Sequence, residues 1–382
     1  MFRKKHNLIK KAATILLAVQ FLVCSAVRVS AANEDGLSLS AESAILIEAD
    51  SGCVIFESNA EKRLPMASTT KIMTALIAIE SGELDRTVKI PEEAVGIEGS
   101  SIYLKVGEEL TMSDLLYGLL LESANDAAAA IAIEVAGGFE NFSELMNRRA
   151  ESLGLSDTHF TNPHGLDDEN HYTSAADLAA LTREAMQNAD FRRIVSTHSK
   201  DIPLNGDDGV RCLINHNRLL KSYDGAVGVK TGFTKRSGRC LVSCAERCGV
   251  SLIAVTLNAP DDWNDHRKLL DYGFSEYEHV TLAVTGDITL NLPIVGGSES
   301  YVKCSNKDSL SVTLPRSSRV TTKIEADRYF PAPVTEGDAL ARAVFTVDGK
   351  EIASLPLFAE SSVEKLEQKT SIIDRILKFL GR

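Results

Sequence analysis

Three short motifs stand in one order along the 382-residue chain: Ser68-Thr69-Thr70-Lys71, Ser123-Ala124-Asn125 and Lys230-Thr231-Gly232. They constrain the fold more than any hydropathy pattern does, because chemistry at one serine requires distant segments to meet at one place. Ser68 and Lys71 are three residues apart, so on a helix the lysine amine stands over the serine hydroxyl. An alcohol becomes a good nucleophile only when a base takes its proton. An ordinary lysine, with a pKa of about 10.4, is charged at neutral pH and cannot be that base. Burial and a second cation both disfavour its charge, and Lys230 supplies the cation. Pro65 precedes Ser68 by one turn, which places the serine at a helix N-terminus whose free amides favour developing negative charge. One such amide can serve an oxyanion hole. Ser-x-x-Lys recurs at Ser300/Lys303 and Ser362/Lys365, but only the first copy is followed by the other two motifs.

Ser123 reads in two ways, as a second hydroxyl of the site or as the N-cap of a helix that it opens. Lys230-Thr231-Gly232 ends an apolar run and so is expected at a strand edge. There Gly232 lets a substrate backbone approach closely, and the Phe233 amide can point at a carbonyl oxygen.

Arg3, Lys4, Lys5, Lys10 and Lys11 precede an apolar stretch, Ala12 to Val27, and then Val29-Ser30-Ala31. A basic head, a short apolar segment and small residues at the cut predict a secretory signal over residues 1–31. An uncleaved anchor is the alternative, although the apolar run is short for a span. Cys24 does not read as a lipoprotein cysteine, because Val23 precedes it where a small residue is required. Removing residues 1–31 takes away six Lys/Arg and no acid, moving the formal charge from −12 to −18. That argues against a nucleic-acid partner, which needs a basic face. Of the cysteines that remain (53, 212, 240, 244, 248 and 304), none forms a Cys-x-x-Cys or zinc-type cluster. Cys240 and Cys244 share a face of one expected strand and read as buried free thiols.

Ala44-Ile45-Leu46-Ile47 and Val54-Ile55-Phe56 flank Asp50-Ser51-Gly52 and predict a hairpin. Helices are expected from Ser68, at Met112 to Leu121, Ala124 to Val135, Phe139 to Leu153 and Ser174 to Asn188. Strands return at Ala226 to Thr231, Cys240 to Cys244 and Ser251 to Leu257, so the two ends share one sheet, and a helix over Trp263 to Phe274 covers it. After about Glu278 the chain turns β-branched and polar at Val280 to Val284, Ser309 to Leu314, Arg319 to Ile324 and Ala343 to Val347, as a small all-β unit does. Residues 363–382 place Leu366, Ile373, Ile376, Leu377 and Leu380 on one helical stripe among Lys369, Arg375, Lys378 and Arg382. Such a helix suits a membrane surface; packing on its own protein is the alternative. The expected division is signal 1–31, catalytic domain 40–278, β-rich domain 279–360 and amphipathic helix 363–382.

At its motifs the chain resembles the D-alanyl-D-alanine carboxypeptidases, the low-molecular-mass serine penicillin-binding proteins of bacterial cell walls. Leu64-Pro65-Met66-Ala67-Ser68-Thr69-Thr70-Lys71-Ile72-Met73-Thr74-Ala75 is similar to that family's nucleophile helix. Asn162-Pro163-His164-Gly165-Leu166 with His171-Tyr172-Thr173-Ser174-Ala175 resembles its loop flanking the site, and Gly228-Val229-Lys230-Thr231-Gly232-Phe233-Thr234 its third motif. The resemblance implies an α+β fold of the penicillin-binding-protein/β-lactamase type, an antiparallel sheet with a helical cluster. It implies an exported enzyme at the outer face of the cytoplasmic membrane or in the cell wall, without metal or organic cofactor.

Carried onto this sequence, the resemblance implies that Ser68 attacks the bond between the last two D-alanines of a peptidoglycan stem peptide. Lys71 is then the base, and Ser123 relays the proton to the leaving amine. Asn125 holds the substrate amide, Lys230 and Thr231 bind the terminal carboxylate, Gly232 makes room for the substrate backbone, and the amides of Ser68 and Phe233 form the oxyanion hole. β-Lactams are expected to be trapped on Ser68 as slow acyl-enzymes. One departure stands out. Where part of the family has a carboxylate-binding arginine, this chain reads Asp261-Asp262-Trp263-Asn264-Asp265-His266-Arg267, leaving Arg267 or Arg239 to substitute. His164 and His171 read as structural, and the single tryptophan, Trp263, as a packing residue. Two other readings compete: a class A type β-lactamase, with an acid from Asp167-Asp168-Glu169-Asn170 to activate water, and a non-catalytic penicillin-recognising protein.

Overall fold

The computed structural model describes residues 37–204 and 209–366, which divide into two compact units at Tyr277/Glu278. The expected signal segment lies outside the described residues, as does the tail beyond Leu366.

The first unit is built on five antiparallel strands: β1 (Ser43–Glu48), β2 (Val54–Ser58), β3 (Ala226–Thr234), β4 (Gly238–Arg247) and β5 (Val250–Leu257), in the spatial order β2-β1-β5-β4-β3. The first strand of this sheet in sequence thus pairs with its last, Ser43 opposite Leu257 and Glu48 opposite Leu252. Alternation explains why β1 and β5 read as continuous apolar runs, since both faces are covered. Ile45, Ile47, Ile253 and Val255 enter a core shared with the helices, whereas Ala44, Leu46, Leu252 and Ala254 pack with Leu269 and Leu270 on the opposite side.

Six helices lie on the first face: α1 (Lys71–Glu80), α2 (Met112–Leu121), α3 (Asn125–Ala136), α4 (Phe139–Ser152), α5 (Ala175–Gln187) and α6 (Ala189–Val195). A seventh, α7 (Asp262–Glu276), covers the other face as expected. Helix α3 runs through the middle of the cluster with every residue from Asn125 to Ala132 buried, which is why four successive alanines suit it. Two local expectations need correction. The segment at Ser68 starts as a 3-10 turn, Ala67–Thr70, before α1. Ser123 is not an N-cap: Ala124 holds that position without a side-chain bond, and Ser123 has φ of 61°, outside the helix. Small hairpins at Thr87–Lys89/Glu109–Thr111 and Ser199–Pro203/Val210–Ile214 were not legible as strands, because their short segments bury one residue each.

The second unit is all β. Its main sheet runs Val320–Ala326, Ala339–Val347, Lys350–Ala359, Tyr301–Ser305, Thr289–Val295 and Phe330–Pro331 in spatial order, and Tyr277–Ala283 pairs separately with Leu310–Pro315. Leu292, Val302, Cys304 and Leu357 form one core and Ala343, Phe345 and Leu355 another. Where the amphipathic helix was expected to begin, Val363 and Lys365 instead form extended bridges to Val334 and Gly297. No helix among the described residues is long and apolar enough to cross a membrane.

Candidate active site

Three elements meet at Ser68. The turn Ala67–Thr70 and α1 present Ser68 and Lys71, the link between α2 and α3 presents Ser123 and Asn125, and edge strand β3 presents Lys230, Thr231, Gly232 and Phe233. Lys71 is wholly buried, and its Nζ donates to Ser68 Oγ at 3.0 Å, Asn125 Oδ1 at 2.7 Å and the His164 carbonyl at 2.6 Å. Burial, and then the Lys230 charge, hold the Lys71 amine well below the usual lysine range, with Asp126 pulling the other way. Lys230 is 2 % exposed; burial lowers it to about 7, and its Nζ donates to the Thr231 carbonyl at 2.9 Å. The site therefore holds two amines from which protons leave readily.

Ser123 is buried beside Asn125 in a left-handed backbone conformation. Its neighbours are fixed from below. The Asn125 amide N–H donates to the Ser100 carbonyl at 2.7 Å and its Nδ2 to the Glu98 carbonyl at 2.5 Å. A Cβ on Gly99 would meet that Nδ2 at 2.8 Å, so the loop can pass there only as glycine. Buried Asp126 accepts from the amides of Ile102, Leu104 and Ala127 and from Ser101 Oγ, stitching the loop to α3. Neither Asp126 nor the Glu98 and Ser100 carbonyls came forward from the sequence; an acid directly after the Asn of a helix-opening motif was the one available signal.

The strand motif meets the serine through its glycine. A Cβ on Gly232 would lie 3.1 Å from the Ser68 nitrogen and 3.2 Å from the Met66 carbonyl oxygen, so the missing side chain keeps the Ser68 amide open. Successive amides of a strand point to opposite sides in the plane of the sheet. The Thr234 amide turns inward to Ser237 Oγ, and the Thr231 carbonyl faces Lys230 Nζ. The Phe233 amide accordingly points out of the open edge, and the residue is 65 % exposed.

The loop Asn162–Leu166 closes the site beneath Lys71. Asn162 Oδ1 accepts from the Gly165 amide, and Gly165, at φ 88°, packs so tightly that a Cβ would lie 2.0 Å from the Ala67 carbonyl oxygen. His171 is a strut. The Thr161 amide donates to its Nδ1, which assigns the proton to Nε2; that N–H meets Thr70 Oγ1 at 2.7 Å, and Thr70 in turn donates to the Ala67 carbonyl. Burial lowers His171 to about 4 and His164 to about 3, so both rings are neutral near pH 7. Of the acids weighed for a lactamase, Asp167 accepts from Thr234 Oγ1, Asp168 accepts from the Asn170 amide, and Glu169 is exposed.

Residues 28–261 match the family model of D-alanyl-D-alanine carboxypeptidases, and residues 277–365 match that of the penicillin-binding protein 5 C-terminal domain. This chain belongs to the D-alanyl-D-alanine carboxypeptidase family. It is 33% identical over 350 residues to the D-alanyl-D-alanine carboxypeptidase DacF of Bacillus subtilis, covering 87% of this chain and 90% of that one. Against DacC of Escherichia coli the identity is 32% over 346 residues, 86% of this chain and 85% of the relative. Among solved structures, penicillin-binding protein 5 of Haemophilus influenzae superposes with a TM-score of 0.69 at 29% identity, covering 86% of this chain and 98% of that one. The fold and the serine carboxypeptidase activity expected from the resemblance are those of this family.

Proposed function

We propose that Ser68 is the nucleophile with which this D-alanyl-D-alanine carboxypeptidase removes the terminal D-alanine of a peptidoglycan stem peptide. The observation that carries this reading is the buried Lys71 amine, 3.0 Å from Ser68 Oγ and held below its usual pKa. A neutral Lys71 takes the hydroxyl proton as Ser68 Oγ attacks the carbonyl carbon. The carbonyl oxygen becomes negative between the amides of Ser68 and Phe233. Collapse of the tetrahedral adduct breaks the C–N bond, and Ser123 passes the proton to the departing amine. Asn125, already oriented by Lys71 and Glu98, has its amide beside the cleft to hold the peptide. Water then attacks the acyl-enzyme, with Lys71 again taking a proton, and the shortened stem is released. β-Lactams acylate Ser68 in the same way and leave slowly.

The cationic form of Lys230, with Thr231, receives the substrate carboxylate. The chain works outside the cytoplasm after loss of residues 1–31, and the part of the stripe beyond Leu366, with Ile373, Ile376, Leu377 and Leu380, holds it at the membrane surface. The decisive experiment treats the processed chain with labelled penicillin and with a stem pentapeptide. A Ser68 adduct and free D-alanine are expected. An adduct on another serine, or rapid turnover of penicillin without peptide hydrolysis, contradicts the reading.

A further inference from the structure

One edge of the second unit carries an apolar surface that the catalytic site does not use. Strand Thr289–Val295 pairs with Tyr301–Ser305, placing Pro293 opposite Tyr301. On its other side it pairs with the short edge strand Phe330–Pro331, Ile294 opposite Phe330 and Val295 opposite Pro331. Paired residues share a face of the sheet and successive residues alternate. Leu292, Ile294 and Val302 belong to the core, with Phe330 packed against it. The opposite face of these strands therefore presents Pro293, Val295, Tyr301, Tyr329 and Pro331. Val295, Tyr301 and Tyr329 are each 56–62 % exposed, so no described segment covers them. Large apolar side chains exposed singly are ordinary, but a contiguous group of them marks a contact surface.

The chain leaves its described part at this same edge. Val363 bridges to Val334 and Lys365 to Gly297, and the Leu366 amide donates to the Gly296 carbonyl at 2.9 Å. Leu366, itself exposed, is thereby fixed next to Val295. Ile373, the next apolar residue of the tail stripe, follows seven residues later, a tether of about 25 Å at full extension. Whatever surface the tail lies on is within reach of the patch. The charges around it nearly balance: Glu299, Asp327 and Glu364 are exposed beside Arg328 and Lys365. Charge therefore selects no strongly ionic partner here. What the patch offers is apolar area and two rings with polar tips, the composition that settles at a lipid headgroup layer.

We propose that this edge of the β unit is a second membrane contact, with Tyr301, Tyr329, Val295 and Leu366 entering the headgroup layer of the bilayer on which the tail lies. This rests on the reading of residues 367–382 as an anchor, and it assigns which face of the β unit lies against lipid. The tail carries Glu367 and Asp374 among its cations, so its own hold on lipid is modest. A second weak contact joined to it by a short tether multiplies the affinity of the pair without being strong itself. Because the patch is apolar and aromatic, its share needs neither anionic lipid nor low salt.

The test measures co-sedimentation of the processed chain with vesicles of phosphatidylcholine, and of phosphatidylcholine with phosphatidylglycerol. Tyr301→Ser combined with Tyr329→Ser is expected to lower the bound-to-free ratio about tenfold on both, at low and at high salt, since apolar burial is lost and lipid charge is not involved. Tyr301→Phe with Tyr329→Phe keeps most of the binding. Ile324→Ser, an exposed position on the opposite edge strand Val320–Ala326, leaves it unchanged. Tyr301→Trp in a Trp263→Phe chain reports position without removing an aromatic contact: its indole should be quenched by lipids brominated on the acyl chain. An unchanged ratio in the double serine variant, or an unquenched indole on the vesicle-bound chain, overturns the proposal. So does a lipid-free dimer that the serine variant dissociates, which makes the patch an interface between copies. An indole that iodide reaches more easily once residues 367–382 are deleted overturns it too, since the tail then covers the patch. That deletion also tests the underlying reading by itself. The shortened chain should leave the vesicles; if it binds as before, the tail is no anchor, and the serine variant still decides the patch.

Discussion

At the scale of single residues, the site is a set of amines and hydroxyls whose behaviour follows from where the chain buries them. Ser68→Ala is expected to abolish both the penicillin adduct and D-alanine release, read by intact mass and by amino-acid analysis. The other two Ser-x-x-Lys copies cannot replace it, because Lys303 stands on a strand and pairs with Glu360, and Lys365 forms an extended bridge. In extended chain, residues three apart face opposite ways. Lys71→Ala should stop acylation by peptide and penicillin alike, whereas Lys230→Ala should cost the free-acid peptide more than its amide, a split visible in kcat/KM for the two. Acidity separates them further. Lys230 is cationic below about 7 and neutral above, so carboxylate binding weakens as pH rises through that value. The free-acid KM should climb across neutrality while the amide KM stays flat; parallel profiles would remove Lys230 from carboxylate recognition.

Among the elements, loop Asn162–Leu166 does as much for the site as the turn and helix that carry Ser68 and Lys71. Gly165→Ala drives a Cβ into the Ala67 carbonyl at a left-handed backbone position. We expect a loss of about 3 kcal/mol of stability from overpacking and backbone strain together, with slower acylation because the Ser68 turn must move. Melting and labelling rates check both. Buried histidines set an acid limit on the same unit. His164, His171 and His266 have folded values of about 3, 4 and 3 against about 6.5 when unfolded, so unfolding takes up protons below that value. Their contribution to stability is complete above about pH 6.5 and is lost as pH falls towards 4, by up to about 1.4 kcal/mol per ring and pH unit. Urea midpoints at pH 7 and pH 5 should differ accordingly, and His266→Gln should shrink the difference.

Much of this was legible in the sequence for physical reasons. Ser68, Lys71 and the strand motif were found because helix spacing and an apolar run state their own geometry, and β1 and β5 because continuous apolar runs fit a sheet covered on both sides. Ser123 stayed open between site hydroxyl and cap because the positive φ that keeps it outside the helix is reported by no composition. The carbonyls of Glu98, Ser100 and His164 stayed invisible, since backbone acceptors carry no residue identity.

For the molecule as a whole, the two units make separable claims. The chain ended after Tyr277 keeps the sheet, the helical cluster and every motif. It is expected to label with penicillin at the full-length rate; failure to fold would show that the β unit supports the catalytic one. Deleting residues 367–382, which leaves the bridges of Val363 and Lys365 intact, should leave hydrolysis in solution nearly unchanged and release the processed protein from membranes. Sedimentation of the truncated chain with vesicles would refute the anchor. Finally, the pairing of Ser43–Glu48 with Leu252–Leu257 carries a kinetic meaning. β1 meets the central strand, β5, only after some two hundred further residues have been made, and closing so distant a pair is slow. An emerging chain can form helices early, but it cannot complete its catalytic sheet until β5 is free. The enzyme stays unfinished, and open to passage as an extended polymer, for nearly as long as its first unit takes to be delivered.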